Sequence, residues 1–224
     1  MSMLSEALFE SARNLWDKAA GNPFVTAMAD GTLDRKLFKA YMLQDYYYLI
    51  EYTAILEQMQ EQAAHTETAA FLQKAVQATR SEMNTVHVPN MVQLGITAKE
   101  IQAGQKATAC TEYLQYLRKT AQKGTVQGLT ALLQCSWSYA YIAQTVTDRY
   151  RSKLTRSPYA GWFSAYTADS YTKANAEWIA VLDRETQRIG SDETKQLCCI
   201  FERCAHYENS FWDCMTANGS ASFR

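Results

Sequence analysis

Three residues of this chain carry side chains able to do covalent or proton-transfer chemistry, yet stand where helical periodicity expects apolar ones: Asp45, Cys135 and Glu208. Cys135 shares an inward face with Leu132, Tyr139, Ile142 and Val146, so Cys135 and Tyr139 lie one turn apart and point the same way. Asp45 falls in a stripe of Phe38, Tyr41, Met42, Tyr48, Leu49 and Tyr52, and Glu208 in one of Leu197, Ile200, Phe201, Cys204, Phe211 and Met215. A thiol can act as a nucleophile. A buried carboxyl, its pKa raised by desolvation, can pass protons near neutral pH. The same residues also admit a structural reading: cysteine is among the most buried residue types, and a core carboxylate can be held by a tyrosine hydroxyl or a neighbouring helix. Spacing alone leaves both readings open.

The elements that must position these groups are helices. Only three prolines (Pro23, Pro89, Pro158) and nine glycines interrupt the chain, and the segments between them repeat apolar residues at three and four spacing. Helices are expected from about Ser2 to Ala20, after Pro23, from Asp34 to about Ala64, and over 67–87, 97–103, 106–123, 126–153, 158–167, 170–189 and 192–216. Thr97 and Glu100 form the signature of a capping box at the start of one of them. Alternating patterns of strands are scarce, so the expected fold is all-α: one helical bundle formed by residues 1–224, with long members spanning it.

Composition narrows the function classes. Hydrophobic residues make up 47% and charged residues 20% of the 224 residues, as in globular proteins, and no apolar run reaches the length of a membrane span. A net charge of −1 without a basic run offers no footprint for nucleic acid. The N-terminal stretch lacks the pattern of a secretory signal, which points to the cytoplasm. In that setting the six cysteines read as reduced thiols. None forms a Cys-x-x-Cys pair, and the three histidines are too dispersed for a zinc site; Cys199, Cys204 and His206 come nearest and read as structural. The expected partner is a small molecule or another copy of the chain.

Several longer motifs join these residues: NPFV at 22–25, DGTLDRKLFKAYMLQDYYYL at 30–49, LLQCSWSYAYIA at 132–143, PYAGWFSAY at 158–166 and YENSFW at 207–212. On them the chain resembles, nearly end to end, the TenA family of aminopyrimidine aminohydrolases, also called thiaminase II. The resemblance implies a haem oxygenase-like helical fold without haem or other cofactor, a homotetramer, and hydrolysis of 4-amino-5-aminomethyl-2-methylpyrimidine to the hydroxymethyl compound and ammonia. It also implies cleavage of thiamine to the same pyrimidine and its thiazole alcohol. Carried over, Cys135 is the nucleophile and Glu208 the proton shuttle; Asp45 binds a ring nitrogen and the amino group; Tyr48, Tyr139 and Tyr166 hydrogen-bond the substrate or the catalytic groups; Phe211 lines the ring pocket. The chain departs from the family pattern twice. Cys110 stands where an aromatic residue is usual, which predicts a larger pocket on that side and a different choice of pyrimidine, and Gln134 replaces the usual proline before the cysteine, which predicts a straighter helix.

Three other readings compete. One is a member of the fold that binds a pyrimidine without turning it over. Another is a di-metal or haem protein, against which Glu82 and His87 lie five residues apart rather than three, and the first helix has no histidine. The last is a helical interaction protein with no site.

Overall fold

The computed structural model describes residues 3–216, so the expected helix start at Ser2 lies outside the described residues. Eleven α-helices and no strand occur among them: α1 (Leu4–Ala20), α2 (Pro23–Asp30), α3 (Arg35–Gln62), α4 (Thr66–Glu82), α5 (Val88–Gln93), α6 (Ala98–Ala103), α7 (Thr108–Ala121), α8 (Thr125–Leu154), α9 (Ala160–Tyr166), α10 (Asp169–Glu185) and α11 (Ser191–Cys214). A π-helical turn, Met83–His87, joins α4 to α5.

Local chemistry sets the boundaries. Asn22 caps α2 by accepting a hydrogen bond from the Phe24 amide at 2.9 Å, Pro23 occupies the first turn where its missing N–H costs nothing, and Gly31 ends the helix at φ 78°. Asp34 caps α3 through the Lys36 amide at 2.7 Å, and the expected capping box of Thr97 and Glu100 opens α6. The helix expected over 67–87 is instead two consecutive segments, α4 and the π turn, with α5 following at once. Pro89 explains the difference: its ring clashes with the carbonyl four residues back and it has no N–H to donate. The chain answers with a wide turn, in which the Val88 amide reaches back five residues to the Met83 carbonyl.

The 30-residue α8, roughly 45 Å long at 1.5 Å per residue, runs through the middle of the bundle. It packs against α1, α2, α3, α7, α9, α10 and α11. Close approach at its first turns depends on Gly128, where a Cβ would stand 3.1 Å from the Ala121 Cα. Gln134 sits in regular helix, as expected once proline is absent; the break in α8 comes later, at Tyr150 (φ −112°, ψ 20°). The core thus holds α8 at its centre, with α3 and α11 bringing their polar-bearing stripes to it.

Candidate active site

A cleft of about 530 Å³ opens between α3, α4 with its π turn, α8, α9 and α10. Asp45, Tyr48, Cys135, Tyr139 and Tyr166, from three different helices, line it as the sequence suggested. Glu208 and Phe211 do not line it. Glu208 is buried behind Cys135, near enough for the thiol and the Tyr113 hydroxyl to favour its ionised form. Phe211, expected in the ring pocket, packs edge-on against Tyr41 at 6.2 Å between ring centres. Three residues on from Glu208, it shares the inward stripe of α11 and meets α3 through Tyr41.

Electrostatics separate the groups. Burial, with the charge of Asp45 adding to it, pushes the Glu208 carboxyl up to about 8, against the pull of Tyr113 and Cys135. Burial raises the Cys135 thiol well above its ordinary range, and the Glu208 charge raises it further; the Tyr48 hydroxyl works the other way. At rest Cys135 is therefore a neutral thiol beside a carboxyl that titrates within reach of physiological pH. Two buried atoms here, the Tyr48 hydroxyl and Glu208 Oε2, make no hydrogen bond of ordinary length and angle among the described residues.

Asp45 is held differently. Its Oδ2 accepts from the Tyr41 hydroxyl at 3.0 Å and lies 2.7 Å from His87 Nε2, and the Trp162 indole N–H donates to the Tyr41 oxygen at 2.9 Å. Beside this pair, the Tyr166 hydroxyl donates to Glu82 Oε1 at 2.9 Å. Burial opposes charge on the His87 ring, but the hydrogen bond and charge of Asp45, with the charge and backbone carbonyl of Glu82, outweigh it and raise its pKa. Burial likewise raises Glu82, with the His87 charge and the Tyr166 bond opposing. On α8, Ser136 donates to Asn175 Oδ1 at 2.6 Å and lies 3.2 Å from the Tyr171 hydroxyl, tying that wall of the cleft to α10.

His87 and Glu82 were legible only as a failed metal motif. In an α-helix five residues turn through 500°, so the two should point about 140° apart; with the π turn, Glu82 lines the cleft and His87 reaches Asp45, which lines it too. Cys110 corrects another expectation. It is fully buried with its Sγ 3.9 Å from the Gln44 carbonyl, and it is not among the residues lining the cleft, so the missing ring leaves no extra room there. Burial and the charge of Asp45 push its thiol up to about 12. Cys199 is exposed while Cys204 is buried, and among the described residues no group of three or more His, Cys, Asp or Glu is arranged to hold a metal ion. No helix among them is long and apolar enough to cross a membrane.

Comparison with known proteins gives the arrangement a context. An aminopyrimidine aminohydrolase of Halalkalibacterium halodurans is 32% identical over 210 residues, covering 92% of each chain. A solved TenA homologue from P. horikoshii superposes with a TM-score of 0.80 at 27% identity, over 96% of this chain and 98% of that one. A domain with a haem oxygenase-like fold from Shewanella denitrificans, 16% identical, does so with a TM-score of 0.75 over 95% and 92% of the two chains, which identifies the fold. Residues 9–218 match the model of the TENA/THI-4/PQQC family, and the chain belongs to that family.

Proposed function

We propose that this chain is a single-domain aminopyrimidine hydrolase that replaces the amine on the methylene arm of 4-amino-5-aminomethyl-2-methylpyrimidine with hydroxyl, and cleaves thiamine by the same route. The observation that carries it is convergence: a thiol from α8 and a carboxylate from α3 face one cleft, with a second carboxyl of raised pKa from α11 directly behind the thiol. The name of the 32% identical relative supports the same chemistry.

In this reading Glu208, as carboxylate, takes the Cys135 proton, and the thiolate adds to an electron-poor carbon of the pyrimidine. The dearomatised ring expels the amine, which leaves as ammonia with the proton held by Glu208. Water then adds to the exposed methylene and gives its proton to Glu208. Rearomatisation expels the thiolate, which recovers that proton. Asp45 favours the protonated ring nitrogen and amino group and so makes the ring a better electron acceptor. Tyr48, beside the thiol, stabilises the thiolate; Tyr139 and Tyr166 shape the ring site, with Phe211 buttressing Tyr41 behind Asp45. No metal or other cofactor takes part in this route. A cytoplasmic location and a homotetramer belong to the same reading, the latter checked by sedimentation equilibrium against four copies of this chain.

Ammonia release from the aminomethylpyrimidine tests the chemistry. Wild type should release it, and Cys135→Ala should lose roughly a thousandfold or more of the rate, as removal of a nucleophile does. Undiminished release by the variant would refute the thiolate route.

A further inference from the structure

The chemistry at Cys135 and Glu208 makes no use of His87, yet the π turn delivers this residue, 1% exposed, to the back of the carboxylate that faces the substrate. Asp45 sits in unusually anionic company. The titratable groups whose charges act on it or are acted on by it are Tyr41 on its own helix, Glu82 on α4, Cys110 on α7, Cys135 and Tyr139 on α8, Tyr166 on α9 and Glu208 on α11. All of these are neutral or negative when they titrate. His87 is the group among its neighbours that can carry positive charge.

We propose that His87 is a positioning residue: as a cation bonded to Asp45 Oδ2 it holds that carboxylate fixed, leaving Oδ1 to accept from the N–H groups of a 4-aminopyrimidine. The proposal rests on the reading that Asp45 receives the substrate ring. The geometry supports it on two counts. The Tyr41 hydroxyl and His87 Nε2 both address the same oxygen, so they lock the carboxyl rotation while the residue still lines the cleft. Tyr41 is in turn held by the Trp162 indole, so the assembly behind Asp45 is rigid. A 4-aminopyrimidine protonated on the ring nitrogen offers two adjacent N–H donors, which an ionised carboxylate accepts and a protonated carboxyl does not. His87 thus selects which form of the ring is bound, and a ring bound in its protonated form is the one open to attack.

Two measurements decide it. Calorimetric titration with 4-amino-5-hydroxymethyl-2-methylpyrimidine compares wild type with His87→Gln between pH 5.5 and 8. The ratio of variant to wild-type Kd should be tenfold or more larger at the acid end, because the wild-type His87 carries its charge there and loses it as pH rises. A ratio that stays constant with pH would mean a merely structural role and overturn the proposal. On the wild type itself, which removes any dependence on the folding of the variant, 15N NMR of the His87 ring at pH 7 should show both nitrogens protonated. A neutral ring overturns the proposal equally. If wild type binds no pyrimidine at any pH, the functional reading fails, and the ring's protonation state still decides the His87–Asp45 pair.

Discussion

Two walls of the cleft are built by different means. On one side α3 and α8, backed by α11, are regular helices whose inward stripes each carry a single reactive group, so Asp45 and Cys135 reach the cleft, and Glu208 the space behind the thiol, by ordinary three and four spacing. On the other, α4 loses its α-helical register before Pro89, and because the turn widens Glu82 lines the cleft while His87 reaches Asp45, which lines it too. The regular wall holds the groups that would make and break bonds. The irregular wall holds those that set charge on its neighbours, and it is the wall whose geometry depends on one proline. Chemistry here rests on a stiff scaffold, while its electrostatic tuning rests on a local departure from the helix.

Altering each wall in turn sharpens this contrast. On the regular wall, Glu208→Gln should cut turnover by about 10²- to 10³-fold and remove the rise in kcat/KM through pH of about 8 that comes with ionisation of the Glu208 carboxyl. The same change should stabilise the fold. The unfolded chain releases this proton near the ordinary glutamate value, whereas the folded protein keeps it until about 8. Wild-type stability therefore falls as pH rises across that window, and the variant escapes the loss. Its advantage in chemical denaturation should grow from nothing near pH 4.5 to a few kcal/mol, on the order of magnitude that linkage allows, at pH 8 and above. On the irregular wall, Pro89→Ala permits the α-helical register to continue; His87 and Glu82 should swing apart, and kcat/KM should fall about tenfold from misplacement alone while thermal stability holds or rises. Behind the regular wall, Cys110→Tyr should leave pyrimidine affinity within a factor of a few and instead cost about 1–3 kcal/mol in denaturant unfolding, since the ring must be forced into a filled core.

Much of this was readable from the chain because the physics is local. The helix starts after Pro23 and at Asp34 follow from local chemistry, and Thr97 with Glu100 declared its own box. Asp45, Cys135 and Glu208 announced themselves as polar residues in apolar stripes, a signal that survives without any knowledge of the partner helices. Glu82 and His87 gave no such signal, because a template of 100° per residue sends them to different faces and nothing in the spacing warns that Pro89 widens the turn. Phe211 and Cys110, assigned to the pocket through the resemblance, do not line the cleft for another reason. Which buried side chain borders a cavity and which borders another side chain is decided by helix rotation and tertiary packing, and adjacency in sequence to a reactive residue does not settle it.

The Tyr48 hydroxyl, one of several buried polar atoms without a hydrogen-bond partner among the described residues and one that borders the cleft, means that the site is incomplete on its own. Folding has removed water from that oxygen without supplying a hydrogen bond of ordinary geometry, a cost that a ligand with a matching polar edge in the cleft would offset. Occupancy would then act as the last step of folding. A pyrimidine in the cleft should make the whole bundle harder to unfold, and the protein's persistence in a cell would follow the supply of what it binds.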